Sequence, residues 1–310
     1  MTCSGSIPEG GFPKNDNMQR GNDMKLSKKK IKQMVNENPN MVYESMPEEI
    51  KEMFPVVIPD IASEYFGIHF TTKHNGKMAG FESLSTTCKA SAKCAGKIEN
   101  AFRLVMGSDF VLADASSADI KKARKKLSDY IKKNPLAVNV SICGFCFSDR
   151  QQDYMSSMKK PLAKNHDVLN NGVIHPDWLP TLNDLYFRCE SFGDYDSKTA
   201  VMNTVNLIKK NPDTFFGVWT KNLNYFHQVF KGDPAAVPTN CNIIYSSQYI
   251  NKVSSVPEKY KYFVSKTFTV YTKEFSEVKD ICINCGSRAC LTCKKCYQKN
   301  NVPEIKEGLK

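Results

Sequence analysis

The chain has 310 residues, is 41% hydrophobic and carries a formal net charge of +11, so it is long enough for one large domain or two. It contains no apolar run of about eighteen residues and no signal-peptide pattern, which argues against a membrane-spanning or secreted protein and predicts a cytoplasmic one. The excess of basic side chains favours nucleic acid or another phosphate-bearing partner.

The first 67 residues predict a tail and a helical extension. Residues 1–24 are rich in Gly, Asn and Pro and lack a periodic apolar pattern, which predicts a disordered tail. In residues 25–67 we expect a basic helix from Ser27 to Asn36 and a second helix from Pro47 to Phe54.

A β-hairpin is predicted next, in residues 68–84. The composition becomes aromatic and alternating there, and Asn75-Gly76 supplies the turn between two extended runs. The hairpin opens a domain that we expect to extend over residues 68–280.

The clearest amphipathic helix is predicted from Ser116 to Lys133. One side is apolar, and basic residues cover the rest, which indicates either a nucleic-acid contact or the solvated face of a packed helix. The basic residues are Lys121, Lys122, Arg124, Lys125, Lys126, Lys132 and Lys133.

Strands and helices alternate after Pro135. Strands are predicted at Ala137–Ile142, Leu185–Arg188, Thr214–Trp219, Asn242–Tyr245 and Thr267–Tyr271. This order predicts an α/β fold with a partial or complete parallel (β/α) barrel, although an open doubly wound sheet fits as well. Both place ligands at the carboxyl ends of the strands, where the polar residues are Glu190, Asp194, Lys221, Ser246 and Ser247.

Five cysteines occur within fifteen residues of the C-terminal segment, residues 281–310. They are spaced as Cys282-x2-Cys285-x4-Cys290-x2-Cys293-x2-Cys296, a pattern that lets several thiolates bind one metal ion or iron-sulfur cluster. We expect the last four to be the ligands and Cys282 to be a spare. The spacing is equally typical of zinc and of iron-sulfur sites.

A second cysteine group is predicted from Cys88 and Cys94 together with the pair Cys143 and Cys146. The pair is predicted to end a strand and open a helix, which would favour thiolates. A CxxC pair also serves thioredoxin-like redox chemistry, so that alternative stays open. Cys189 and Cys241 lie in predicted strands and are expected to be core residues.

With these residues the chain resembles a phage-associated family, the gene-product-88-like proteins, over about residues 72–299. The resemblance rests on the shared order of five motifs: Asn75-Gly76-Lys77 before Ser83-Leu84-Ser85-Thr86, the pair Cys143 and Cys146, Phe187-Arg188 before Ser191-Phe192-Gly193-Asp194, Asn211-Pro212 before Trp219-Thr220-Lys221, and the terminal cysteines. Relative to the family, Cys94 and Cys143 are far apart, which implies an insertion at about residues 100–135, and Cys282 is additional.

The family in turn looks like a distant relative of radical S-adenosylmethionine enzymes. That likeness implies a 4Fe-4S cluster on Cys94, Cys143 and Cys146, and it implies that Glu190 and Asp194 receive the amino group of S-adenosylmethionine. Lys221, Ser246 and Ser247 would line the substrate pocket, and the C-terminal cysteines would hold an auxiliary cluster.

Three functions therefore remain open. The chain is expected to be a phage or mobile-element protein that binds iron-sulfur clusters and catalyses redox chemistry, a zinc-stabilised protein that binds nucleic acid through the basic helix, or a structural protein without catalysis. Other catalytic templates are absent, since the sequence contains no HExxH, GxSxG, Walker A or GxGxxG motif.

Overall fold

The computed structural model describes residues 70–71, 82–86, 92–154, 156–174, 176, 179–286 and 289–309. The predicted N-terminal tail, both predicted N-terminal helices, the Asn75-Gly76 turn and Cys88 lie outside the described residues. The strands are β1 (Phe70–Thr71), β2 (Glu82–Leu84), β3 (Tyr186–Cys189), β4 (Phe215–Thr220), β5 (Cys241–Ser246), β6 (Val264–Tyr271) and β7 (Glu304–Gly308).

The strands form one sheet in which neighbours follow chain order from β1 to β7. β1 and β2 pair antiparallel, as the predicted hairpin requires, and β2 through β7 are all parallel. Crossovers between parallel neighbours are right-handed as a rule, which favours one face of the sheet for the helices that connect them.

The α/β class and the parallel pairing are confirmed, but a complete barrel is not formed. In the described residues β1 and β7 are the two edges of an open sheet. The strand order also never reverses, whereas a doubly wound sheet reverses at its switch point. A partial barrel therefore stays a prediction, and the doubly wound alternative is wrong.

Eight α-helices are described, of which α2 has the most regular cap. Ser116 accepts a hydrogen bond from the backbone N–H of Asp119, whose carboxylate accepts one from the backbone N–H of Ser116, a capping box. The helices are α1 (Ala92–Met106), α2 (Ser117–Lys133), α3 (Phe147–Tyr154), α4 (Ser156–Asn171), α5 (Lys198–Lys210), α6 (Leu223–Phe230), α7 (Lys273–Val278) and α8 (Cys290–Cys293). None of the described helices is long and apolar enough to cross a bilayer.

The two faces of the sheet are covered by different parts of the chain. Phe187, Val218 and Ile243 pack against helices α4, α5 and α6 in the largest core cluster. Their strand neighbours point to the opposite face, because side chains alternate along a strand. There Trp219 and Ile244 pack with Tyr186 and Tyr297 and with residues of the C-terminal cysteine segment.

Helices α1 and α2 build a smaller core of their own. Ile98, Phe102, Leu127 and Ile131 pack together with Val140 from the following segment. The predicted helix from Ser116 to Lys133 is thus confirmed, and its apolar face is buried against α1.

One predicted strand is wrong. Residues 137–142 form no strand, and a 3-10 helix from Ile142 to Phe145 follows instead. Only Ser141 makes an isolated bridge, to Tyr249 in the loop after β5. Helix α2 ends at Lys133. Residues 137–142 therefore connect α2 to the 3-10 helix and do not belong to the sheet.

Candidate functional site

The candidate site lies where β2, β3 and β4 end at the carboxyl edge of the sheet. Thr86 follows β2, Glu190 and Asp194 follow β3, and Lys221 follows β4. The carboxyl ends of parallel strands share one edge, which brings these side chains together.

Glu190 is held in an unusual backbone conformation directly after β3. Its φ is 55°, in the left-handed region that non-glycine residues rarely adopt. Its Oε2 accepts hydrogen bonds from the hydroxyl of Thr86 at 2.8 Å and from the backbone N–H of Thr86 at 3.2 Å. Burial raises the pKa of Glu190 well above its ordinary value, these hydrogen bonds oppose the increase, and Asp194 and Cys94 add to it.

Gly193 allows this close approach. Its φ is +88°, and a Cβ added there would lie 2.9 Å from Glu190 Oε2 and would also meet the Thr86 hydroxyl oxygen. A larger residue would therefore separate the loop after β3 from the end of β2.

Asp194 ties the ends of two strands together. Its Oδ1 accepts hydrogen bonds from the Thr220 hydroxyl at 2.8 Å and from the backbone N–H of Tyr195 at 2.9 Å. Its Oδ2 accepts one from the backbone N–H of Lys221 at 3.0 Å and lies 3.8 Å from Lys97 Nζ. Both carboxylate oxygens are thus occupied by the protein.

Of the CxxC pair, Cys143 lies in the 3-10 helix before α3 and Cys146 is the C-cap residue of that helix. Ser141 caps the start of the helix, since its hydroxyl oxygen accepts a hydrogen bond from the backbone N–H of Cys143 at 3.2 Å. Gly144 packs against α1 and α2, since an added Cβ would lie 2.9 Å from Ala101 Cβ and would overlap Leu127 Cδ2. The glycine between the cysteines is therefore needed for packing, and it fixes both thiols relative to the two helices.

The loop after β5 is hydrogen-bonded to the start of the 3-10 helix that carries Cys143. The backbone N–H of Ile142 donates to the carbonyl oxygen of Gln248 at 3.0 Å, and that of Ile250 donates to Val140 at the same distance. Ser246 and Ser247 are buried at this strand end. The Ser247 hydroxyl donates a hydrogen bond within its own loop, to the Lys252 carbonyl oxygen at 2.6 Å.

Cys143 interacts electrostatically with Cys94 and Cys146 and with two lysines. Burial raises the pKa of Cys143, the charges of Lys221 and Lys97 act to lower it, and the thiols of Cys146 and Cys94 raise it further. The pKa of Lys221 is shifted as well. Burial disfavours its charged form, but Cys143, Asp194, Cys146 and Cys94 raise its pKa above the ordinary value.

The C-terminal cysteines form a second group on the face of the sheet opposite helices α4 to α6. Burial raises the pKa of Cys296 to about 12; Arg188 acts to lower it, and Cys285, Cys290 and Cys293 raise it. Cys285 is fixed by its backbone, which donates to the Lys306 carbonyl oxygen at 2.8 Å and bridges to Glu307 in β7.

The remaining cysteines have other environments. Cys189 and Cys241 are free and buried in the largest core cluster, which confirms the predicted core role. Cys282 is disulfide-bonded. No group of three or more His, Cys, Asp or Glu among residues 92–154 or in the rest of the described chain is arranged to hold a metal ion.

Sequence reasoning missed three residues near these groups. Lys97 donates to Asn222 Oδ1 at 3.3 Å beside Asp194. Phe147 is 68% exposed and stacks on Phe192 with a centroid separation of 6.0 Å. The guanidinium of Arg188 lies 3.9 Å from the centre of the Trp219 ring. Lys97 could have been found from its helical spacing to Cys94. Arg188 lies in one of the motifs that carry the family resemblance, but the motif assigns it no role, and no sequence signal marks Phe147.

Comparison with known proteins adds a family assignment. Neither a curated protein nor a solved structure matches the chain. A family model described as Gene product 88 matches residues 60–299, more than three-quarters of the 310 residues. The chain therefore belongs to the Gene product 88 family.

Proposed function

We propose that this chain is an iron-sulfur protein of phage or mobile-element type, with a 4Fe-4S cluster held by Cys94, Cys143 and Cys146. One observation carries the proposal: Cys94 from α1 and Cys146 both act electrostatically on Cys143 at the carboxyl edge of the sheet, and none of the three is disulfide-bonded. This is the edge where parallel α/β proteins bind their ligands.

The residue types suit such a cluster chemically, although the described residues contain no group of three or more ligands already arranged around a metal site. Iron-sulfur clusters are held by cysteine thiolates, and these three cysteines lie beside Lys97 and Lys221, whose charges offset those of thiolates. The tight packing of Gly144 against α1 and α2 keeps the pair Cys143 and Cys146 in place. When bound, a cluster on three thiolates would offer one iron without a protein ligand to a small molecule such as S-adenosylmethionine.

Glu190 is the better candidate to bind the amino group of that molecule. Asp194 uses both carboxylate oxygens in hydrogen bonds to Thr220 and to the backbone. Glu190 accepts from Thr86 through Oε2, and in the described part of the chain no hydrogen bond reaches its Oε1. The raised pKa of Glu190 would fall again beside an ammonium group.

We assign Cys285, Cys290, Cys293 and Cys296 to a second, auxiliary cluster. None of the four is disulfide-bonded, and Cys285, Cys290 and Cys293 all act on the pKa of Cys296. Arg188 lies close enough to lower that pKa, so one positive charge is already present to compensate a bound anionic cluster. Lys221, Ser246 and Ser247 remain assigned to the substrate side of the carboxyl edge.

Anaerobic purification with iron and acid-labile sulfide analysis tests the proposal. We expect a brown protein with iron and sulfide in equal amounts and cleavage of S-adenosylmethionine after reduction. The double variant Cys143→Ser/Cys146→Ser should lose about half of the iron, Cys290→Ser/Cys293→Ser the other half, and the buried-core control Cys241→Ser none. Wild-type protein without iron after reconstitution would overturn the proposal, and stoichiometric zinc in its place would support the zinc alternative.

A second candidate function is nucleic-acid binding through α2. Lys121, Lys122, Lys125, Lys126, Lys132 and Lys133 are all exposed on this helix, whereas Arg124 is paired with Asp149. Several exposed lysines on one helix can neutralise successive phosphates and release counterions.

Fluorescence anisotropy with a labelled DNA or RNA duplex at several salt concentrations tests this function. Affinity should fall steeply with salt, and the variant Lys121→Glu/Lys125→Glu should flatten the dependence, whereas Lys259→Glu, in the 3-10 helix before β6, should not. Equal affinity at low and high salt would exclude it. If neither function is found and Cys290→Ser only lowers stability, the cysteines serve a structural role.

A further inference from the structure

A cavity of about 570 Å³ opens at the amino ends of β5 and β6, the end of the sheet away from the CxxC pair. A β-bulge shapes one wall, because the pairing of β5 with β6 steps from Val264 to Lys266 and leaves Ser265 out. Bulges often re-aim side chains next to binding sites.

Lys266 places a buried positive charge in this wall. The residue is 4% exposed, and its Nζ donates to Asn300 Oδ1 at 2.8 Å, to the Val302 carbonyl oxygen at 3.0 Å and to the Asn300 carbonyl oxygen at 3.4 Å. All three acceptors are neutral, and no carboxylate pairs with Lys266 within the described ranges. Burial lowers the pKa of Lys266, and of the described residues only the Cys296 thiol acts to raise it, so a further anion in the cavity would stabilise the charged form of Lys266. Lys299 adds a second positive charge to the lining.

Asn242 supplies a buried acceptor beside these lysines. The residue is 1% exposed, and its Nδ2 donates to the carbonyl oxygens of Cys296 and Gln298, each at 3.1 Å. Those two bonds fix the orientation of the amide, and Oδ1 has no hydrogen-bond partner within the described part of the chain. Buried acceptors are nearly always satisfied in native structures, so a donor from a ligand or water is expected there.

Part of the remaining wall is apolar and aromatic. Val237, Pro238, Tyr262 and Phe263 line it, and Tyr262 is already anchored through its hydroxyl, to which the Gly232 backbone N–H donates at 3.0 Å. A flat ring could lie along these side chains while its charged group reached the lysines.

We propose that this cavity binds a small organic phosphate whose anionic group pairs with Lys266 and Lys299 and whose ring lies on the Tyr262 side. A donor group of the ligand then bonds to Asn242 Oδ1. None of the described cysteines of the two groups lines this cavity, although Cys296 lies close enough to hold the Asn242 amide through its carbonyl oxygen and to act on Lys266.

Isothermal titration calorimetry on the full-length protein with adenosine monophosphate as the probe tests the proposal. We expect binding in the micromolar range, with adenosine at least tenfold weaker. Lys299→Ala should weaken the binding of the monophosphate about tenfold, and Thr239→Trp, a substitution at an exposed position in the lining, should abolish it by filling the cavity. The control Lys279→Ala, exposed at the opposite end of the sheet, should bind like the wild type.

Three outcomes would overturn the assignment: no heat with the monophosphate at millimolar concentration, equal affinity for adenosine, or unchanged binding in both lining variants. Thermal unfolding of each variant without ligand shows whether the fold is intact. Because Lys299 and Thr239 are exposed, both variants are expected to melt at the wild-type temperature, so lost binding would report on the cavity itself.

Discussion

The Asp194 carboxylate accepts a hydrogen bond from the backbone N–H of Lys221 at 3.0 Å, across 27 residues of sequence. With the Thr220 hydroxyl bonded to the same carboxylate, the loop after β3 and the end of β4 form one unit. The thiols of Cys143 and Cys146 also act electrostatically on Lys221. The geometry of the candidate site therefore depends on this acidic residue even though it offers no oxygen to a ligand.

We predict that Asp194→Ala lowers the free energy of unfolding by about 2–4 kcal/mol, because it leaves buried donors of Thr220 and Lys221 without an acceptor. Urea unfolding followed by circular dichroism measures the change. The exposed control Asp213→Ala should stay within about 0.5 kcal/mol of the wild type. A loss as small as that of the control would show that water replaces the carboxylate.

Gly144→Ala should destabilise the protein by about 1–3 kcal/mol, since the new methyl group would overlap Leu127 and approach Ala101. The same variant should bind less iron, because the turn that carries both cysteines must move.

Gly96→Ala is the matched control. An added Cβ at Gly96 meets nothing within 4 Å, and alanine favours a helix interior by about 1 kcal/mol, so this variant should be at least as stable as the wild type. Equal effects at both positions would refute the packing role of Gly144.

The stability of the metal-free protein should depend on pH through Glu190. Burial raises the pKa of this carboxyl well above its ordinary value of 4.5, so the folded state binds the proton more tightly than the unfolded state. The resulting stabilisation is complete below about pH 4.5 and is lost as the pH rises toward the folded-state pKa.

Glu190→Gln should therefore reduce the slope of unfolding free energy against pH by up to about 1.4 kcal/mol per pH unit. The glutamine keeps an acceptor for the Thr86 hydroxyl. Denaturant unfolding at pH 5, 6, 7 and 8 provides the measurement. Glu277→Gln, whose side chain is 64% exposed, should leave the slope unchanged, and parallel curves for Glu190→Gln and the wild type would disprove the assignment.

Asn251 should prove important for the segment that leads to Cys143. Its Nδ2 donates to the carbonyl oxygens of Pro135 and Ala137 at 3.0 and 2.9 Å, and its Oδ1 accepts from the backbone N–H of Thr272 at 2.8 Å. Asn251→Ala should cost about 2–4 kcal/mol in thermal or denaturant unfolding. The exposed helical control Asn100→Ala should cost nothing measurable, and an Asn251 variant as stable as that control would contradict the anchoring role.

The sequence predicted the parallel sheet well because each of its central strands is a short apolar run with a polar end. β3, β4, β5 and β6 all lie within about three residues of their predicted bounds, and the polar ends placed Glu190, Asp194 and Lys221 at one edge. Residues 137–142 were mispredicted because β-branched and apolar residues in a connection look like a strand. Here Val140 is buried against α1 and α2 rather than in the sheet.

Other features depend on contacts between distant residues and leave no local pattern. β7 reads Glu-Ile-Lys-Glu-Gly, with one buried apolar residue, Ile305, so its pairing with β6 could not be predicted from composition. The cavity beside Lys266 arises from a bulge, and bulges follow from strand register rather than from residue type.

The position of β7 gives the C-terminal cysteines a further consequence. This strand is the last in the sheet, and the cysteine segment joins it to β6, with Cys285 and Asn284 both bonded to the backbone of Lys306. Loosening that segment, by thiol oxidation or by a chelator, would free β7 and uncover the polar backbone groups of β6. Such an exposed edge invites pairing between molecules, so damage at the thiols should appear first as aggregation and only afterwards as loss of secondary structure.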